Sequence, residues 1–254
     1  MAFNFSPKIV TDGLVLYYDA ANTKSYLSGS TTWNDLSRAN NNGTLVNGPT
    51  YSSANIGSIV FDGVNDYVNC GTNSSLNISG SITVESWVYL SSLSNSSDIC
   101  LISKYSNSGG SNQSWILFKS TQNYQSFGPG GSGGPANNEF GWISSSNGTI
   151  SGAFIGTGEQ VLINTWYHVV GVFNSFDNSM QIYVNGVLKR NSVRTGQSFG
   201  VLATNSININ IGATSADSNR WLQGRLPTAR IYNKALTAAD VLQNYNTTKG
   251  RYGL

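Results

Sequence analysis

Glycoside hydrolysis by side chains alone requires two carboxyl groups flanking one bond. The chain supplies three glutamates, Glu85, Glu139 and Glu159, and none has a second acid within a few residues on the same strand face. Glu85 is therefore expected to hydrogen-bond inside the fold. A Ser-His-Asp triad would rest on His168, the only histidine, which sits in the strand-like run Trp166-Tyr167-His168-Val169-Val170 and reads as structural. One histidine and two well-separated cysteines, Cys70 and Cys100, cannot complete a zinc site. Both cysteines lie in strand-like segments and are expected to be buried thiols. The glycine-rich run 128–134 lacks the lysine and the following helix of a phosphate-binding loop. No catalytic residue is assigned, and the chain is expected not to be an enzyme.

Recognition is the remaining chemistry. Aromatic faces stack on sugar rings while amides orient the hydroxyls. Trp87, Tyr89, Tyr124 and Trp142, with Asn137 and Asn138 as polar neighbours, are the candidates for such contacts. For any single one of these aromatics, core packing is the slightly preferred reading. Trp33, Trp166 and Trp221 read as structural. A formal charge of +2, spread without a Lys/Arg cluster, gives no footprint for a nucleic-acid backbone. No apolar run approaches the length of a membrane span, and the first residues lack a basic stretch followed by an apolar one. The expectation is a soluble protein outside the Sec pathway, with neither nucleic acid nor membrane as partner.

The elements that position these residues are short strands. Charged residues make up only 10% of the chain, and Gly, Ser, Thr and Asn are abundant, as suits strands joined by polar turns. Strand signals fall at 14–18, 58–61, 67–70, 82–90, 99–104, 115–119, 139–143, 166–173, 180–184, 187–190, 207–211 and 230–232. In 82–90 the even positions are mostly aliphatic, while Thr83, Glu85, Trp87 and Tyr89 occupy the odd ones, a period-two pattern that gives the strand two different faces. Asn185-Gly186 predicts a type I′ turn between two strands. One helix is expected over 238–246, with Thr237 as its cap and Asp240 three residues on. Residues 106–114 and 126–138 read as long loops. No repeat or linker divides the chain, so residues 1–254 are expected to form a single domain.

In order along the chain, several segments carry a resemblance. They are Gly13-Leu14-Val15-Leu16-Tyr17-Tyr18-Asp19-Ala20, Thr32-Trp33-Asn34-Asp35-Leu36-Ser37, Asn42-Gly43-Thr44-Leu45, and Phe61-Asp62-Gly63-Val64-Asn65-Asp66-Tyr67-Val68. There follow Ile82-Thr83-Val84-Glu85-Ser86-Trp87-Val88, Trp166-Tyr167-His168-Val169, Ile182-Tyr183-Val184-Asn185-Gly186 and Arg230-Ile231-Tyr232-Asn233-Lys234-Ala235-Leu236-Thr237. Together they resemble the laminin G-like, concanavalin A-type lectin/glucanase superfamily over nearly the whole chain. The resemblance implies an all-β jelly-roll sandwich of two antiparallel sheets, which the period-two strands already favour.

The hydrolases of that superfamily resemble a Glu-x-Asp-x-x-Glu pattern that this chain does not contain. Its members often carry an acidic pair where this chain reads Gly224-Arg225-Leu226-Pro227-Thr228-Ala229-Arg230-Ile231-Tyr232. Losing those acids weakens a structural calcium site, for which Asp19, Asp62 and Asp66 remain as oxygen donors. Turn capping is the preferred reading of these three, and no metal ligand or cofactor is assigned. The ending Asn244-Tyr245-Asn246-Thr247-Thr248-Lys249-Gly250-Arg251-Tyr252-Gly253 resembles versions in bacteriophage structural proteins, cyanophage ones included. That narrower resemblance implies a capsid decoration protein or tail-associated adhesin on the virion surface, assembled in the host cytoplasm. Its partners would be other virion proteins and host glycans, and it would be a homo-oligomer. The alternative is a free carbohydrate-binding lectin-like module.

Overall fold

The computed structural model describes residues 8–94, 97–106, 112–125, 128, 133–149, 154–195, 198–215 and 219–254. Two antiparallel sheets pack face to face. The first has the order β14 (Val187–Val193), β13 (Ser179–Val184), β12 (Trp166–Asn174), β7 (Ile82–Leu90), β16 (Gln223–Tyr232), β5 (Ser58–Asp62), β4 (Thr50–Ser52), with β1 (Leu14–Asp19) also on β16. The second runs β11 (Phe154–Gln160), β10 (Glu139–Gly148), β9 (Gln113–Lys119), β8 (Ile99–Tyr105), β15 (Asn210–Ile211), β6 (Tyr67–Asn69), β3 (Gly43–Val46), β2 (Thr32–Trp33). The expected all-β sandwich is the observed one.

Local signals behave as their chemistry predicts. Asn185 and Gly186 both have positive φ, 52° and 77°, as a type I′ hairpin turn between β13 and β14 requires. The single α-helix among the described residues, α1 (Ala238–Thr248), starts at a complete capping box: the Thr237 hydroxyl accepts from the Asp240 N–H, and the Asp240 carboxylate accepts from the Thr237 N–H. It runs two residues past the expected end and continues as a 3-10 turn over Lys249–Tyr252.

β16 is far longer than the expected 230–232. Gly224 and Pro227 read as strand breakers in the sequence, yet Pro227 occupies a bulge where no N–H is needed. Along one edge of β16 the partner changes there from β5 to β1, and on the other the register with β7 shifts between Arg225 and Thr228. The Pro227 carbonyl accepts from the Ala20 N–H at 2.9 Å. Conversely the expected strand 207–211 shrinks to Asn210–Ile211.

The core between the sheets gathers one face of each strand, with Trp33, Val84, Leu101, Trp115, Leu117, Trp142, Ile182 and Ile231 among its members. Cys70 and Cys100 are free and buried, and burial pushes both thiols up to about 12. No helix among the described residues is long and apolar enough to cross a membrane.

Candidate functional site

Three places hold aromatic and polar side chains close together. The first is the outer face of the first sheet. The odd positions of β7 point outward there, and register sets Glu85 beside Val170 and Arg230, and Trp87 beside His168 and Thr228. Glu85 is fully buried and fully engaged. Arg230 Nη1 and His168 Nε2 both bond its Oε1, the latter at 2.9 Å, and Asn244 Nδ2 donates to Oε2 at 2.7 Å. Burial pushes this carboxyl up, but the Arg230 charge, then His168, pull it down to about 2.

The C-terminal segment covers this network. Asn244 joins Glu85 to the Tyr232 hydroxyl (3.0 Å) and accepts from the Val10 N–H (2.8 Å). Trp87 donates from Nε1 to Thr248 Oγ1 at 2.8 Å and stacks on Tyr252 with ring centroids 4.1 Å apart. Trp166 packs on the same Tyr252 ring at 4.7 Å. Arg251 grips Asp19 through both carboxylate oxygens, at 2.8 and 3.0 Å. The expectation that Glu85 is structural is met by this geometry. Trp87, in contrast, cannot take a sugar ring: it is wholly buried under the tail and its face is already occupied. Tyr89, half-buried, lies against Trp166 at 5.1 Å with the Arg225 guanidinium 5.4 Å from its ring.

The second place is the outer face of β8 to β11. Tyr124 lies stacked on Phe154 (5.1 Å) and edge-on to Phe118 (6.4 Å), and its hydroxyl donates to Asp98 Oδ2 at 2.9 Å. Arg220 pairs with the same oxygen at 3.1 Å. Beside Tyr124, residues 133–135 lie against the sheet, where the Gly156 N–H bonds the Gly133 carbonyl and the Tyr124 N–H bonds that of Pro135. Asn138 turns the chain into β10 at φ 62°, and the carbonyl of exposed Asn137 accepts from Gln160 Nε2.

Trp142 is in neither place. It faces the core between the sheets, is fully buried, and donates from Nε1 to the Val172 carbonyl at 3.1 Å. Gly171 makes the room, since a Cβ there would come within 2.5 Å of the indole. The six expected contact residues are thus divided among the outer face of one sheet (Trp87, Tyr89), the core (Trp142) and the outer face of the other sheet (Tyr124, Asn137, Asn138), and they form no common site. Of the tryptophans expected to be structural, Trp33 is in the core and Trp166 is buried against the tail, while Trp221 is half-exposed beside Tyr67 at 6.2 Å.

The third place was not singled out from the sequence. A cleft of about 330 Å³ opens beside β4, lined by residues 26, 28–31, 45 and 48–51. Tyr26 and Tyr51 stack within it, centroids 5.5 Å apart and 28° between planes. Tyr26 is buried beneath half-exposed Tyr51, and its hydroxyl is fixed on the Ser30 carbonyl at 3.0 Å. The available signal was two tyrosines set in Gly/Ser/Pro turns, Tyr26-Leu27-Ser28-Gly29-Ser30 and Gly48-Pro49-Thr50-Tyr51. Nothing in their spacing reveals that they meet.

The three possible calcium donors each make contacts within the chain. Asp19 is committed to Arg251, Asp62 Oδ1 accepts from the Val64 N–H at 2.8 Å, and Asp66 Oδ2 accepts from the Asp62 N–H at 3.1 Å. Burial pushes the Asp66 carboxyl up, which disfavours the charge a calcium ion needs. Among the described residues no group of three or more His, Cys, Asp or Glu is placed to hold a metal.

Solved structures share the fold at low identity. The binding domain of Paraclostridial Mosquitocidal Protein 1 aligns with TM-score 0.66 and 18% identity over 92% of this chain and 52% of that one. Domain 4 of AbnA, a GH43 extracellular arabinanase from Geobacillus stearothermophilus solved with arabinotriose, gives 0.61 and 15% over 94% of this chain and 100% of that one. The botulinum neurotoxin serotype D ligand binding domain, solved with N-acetylneuraminic acid, gives 0.65 and 16% over 93% and 51%. The chain therefore spans about half the length of the two toxin domains. No curated protein sequence matches it. Residues 62–242 match the concanavalin A-like lectin/glucanases superfamily, and the chain belongs to that family.

Proposed function

We propose that this chain is a lectin-like carbohydrate-recognition module that binds glycans without cleaving them. The observation that carries this reading is the state of Glu85. It is the glutamate at the centre of a sheet face, and its oxygens are taken up by Arg230, His168 and Asn244 beneath Trp87 and the C-terminal tail. A retaining or inverting hydrolase needs one carboxyl free to exchange a proton and a second across the bond. Two structural neighbours, an arabinanase domain solved with arabinotriose and a toxin domain solved with N-acetylneuraminic acid, favour sugar recognition as the use of the fold.

Two assays on the intact chain test this. A glycan array followed by calorimetry is expected to give millimolar to micromolar affinity for at least one glycan class. Incubation with the bound polysaccharide is expected to release no reducing ends. Release that falls in Glu85→Gln would replace the proposal with a hydrolase.

A second reading concerns where the module works. The resemblance of 244–253 to bacteriophage structural proteins favours display on a virion, held by capsid or tail proteins and as a homo-oligomer. The exposed side chains of Val187, Leu188 and Val193 on β14 suit such contacts. Stoichiometric recovery of the chain in purified particles supports this reading, and its absence from them removes it.

A further inference from the structure

We propose that the cleft floored by Tyr26 and Tyr51 is the glycan site and that it takes a neutral sugar, one or two rings long, in preference to an acidic one. This rests on the carbohydrate-recognition reading above and adds the place and the ligand class.

Size comes first. About 330 Å³ lies at the small end of the range in which proteins bind small molecules, roughly 300–1,000 Å³, which suits a chain end better than a long polymer. The floor is aromatic: Tyr51 is half-exposed above Tyr26, so it offers a ring to the C–H face of a sugar while the ring beneath is held by its own hydrogen bond. Leu45 and Pro49 extend the apolar wall.

Polar groups stand at the rim. Ser28, Thr31 and Thr50 are exposed, and their hydroxyls make no bond to another described residue. Each can donate and accept, the combination that sugar hydroxyls require. Gly29 and Gly48 have open space where a Cβ would stand.

The walls are also preformed. Leu45 N–H bonds the Thr31 carbonyl at 2.8 Å, Ser30 N–H bonds that of Leu27 at 2.9 Å, and Tyr26 N–H bonds that of Asn22 at 2.9 Å. A rigid site loses little freedom on binding.

Charge decides the class. No residue lining the cleft is Asp, Glu, Lys, Arg or His. A carboxylate brought here would lose water without gaining a cation, whereas a neutral pyranose or furanose loses nothing it cannot regain from hydroxyls. Two other cavities differ: the one beside Leu14 has Asp12 and Arg38 in its wall, and the one at 201–204 has no aromatic residue among its described lining.

Calorimetry on the intact chain with two probe sets tests the proposal: neutral gluco-, galacto- and arabino-oligosaccharides, and acidic sialyllactose and galacturonate oligomers. Binding is expected from the neutral set. Tyr51→Ala is expected to weaken it at least about tenfold, equivalent to about 1.4 kcal/mol. Thr50→Glu, at an exposed position, is expected to weaken it similarly with an unchanged melting temperature. Tyr124→Ala is expected to leave it within twofold. Binding confined to the acidic set overturns the ligand class. Neutral binding that survives both cleft variants overturns the place, and leaves the broader reading standing. Absence of binding to every glycan sinks both.

Discussion

The outer face of the first sheet and the cleft beside β4 are made from similar parts, aromatic rings next to polar groups, and use them in opposite ways. On the sheet face the rings of Trp87, Trp166, Tyr245 and Tyr252 pack on one another around a buried ion pair. In the cleft two tyrosines stack, no charge is present and one ring stays half-exposed. The difference lies in what covers them. An ionised carboxylate in a low-dielectric place needs its partners on every side, so Glu85 and Arg230 require the C-terminal tail as a lid. A neutral cleft needs no such cover, and its hydroxyls stay in water until a ligand replaces it. An aromatic cluster by itself therefore does not mark a binding site. Whether its polar neighbours are already satisfied by the protein does.

The largest expected effect breaks the covered side. Arg230→Met leaves Glu85 buried without its cation and is expected to destabilise the domain by about 3–5 kcal/mol in urea unfolding. The double variant Glu85→Met/Arg230→Met is expected to recover part of that loss, because two apolar side chains need no mutual neutralisation while His168 and Asn244 lose their carboxylate partner. If the double variant is as unstable as the single one, the pair is not the centre of the network.

Acid acts on the same centre. The folded-state pKa of Glu85, about 2, lies below the ordinary 4.5. Its contribution to stability is then fully present above pH 4.5 and is lost as pH falls toward 2. Glu85→Gln is expected to flatten the dependence of the melting temperature on pH across that window.

A smaller effect lies on the alkaline side. Burial lowers Lys104, whose ammonium bonds the Ile207 carbonyl, to about 8 from an ordinary 10.5. Above pH 8 the unfolded chain holds this proton more tightly than the folded one, so stability rises with pH. Lys119 has the same sign and about the same value. Lys104→Met is therefore expected to lessen the rise between pH 8 and 9 without abolishing it. Beyond pH 9 the thiols of Cys70 and Cys100, and beyond pH 10 the hydroxyls of Tyr18 and Tyr232, all raised by burial, work in the opposite direction.

The smallest effects belong to the cleft, where Thr50→Glu is expected to change unfolding free energy by no more than about 0.5 kcal/mol. Its cost should appear only in sugar binding.

The covered side was partly legible in the sequence. Period two in 82–90 placed Glu85 and Trp87 on one face, and the capping box at Thr237 and Asp240 marked the helix above them. Local patterns cannot say that the helix returns to that face. Asn244 and Thr248 read as ordinary polar helix positions until the fold sets them on Glu85 and Trp87. For Trp142 the sequence leaves sugar contact and core packing both open, with the core slightly preferred, because alternation gives two faces but not which one is inside, and Gly171, the residue that makes room for it in the core, is distant in sequence. β11 escaped because its glycines at 156 and 158 interrupt the strand pattern. The cleft escaped because its two tyrosines, separated by a stretch of turns, meet only through the β2 to β4 connections.

The most direct test is a ¹⁵N-resolved NMR titration of the intact chain with the neutral oligosaccharide bound most tightly. The account predicts shifts concentrated at 26–31 and 45–51, with the amides of Glu85, Trp87, Asn244 and Tyr252 unmoved. Shifts centred on the tail-covered face, or on Tyr124 and residues 133–138 beside it, would contradict it.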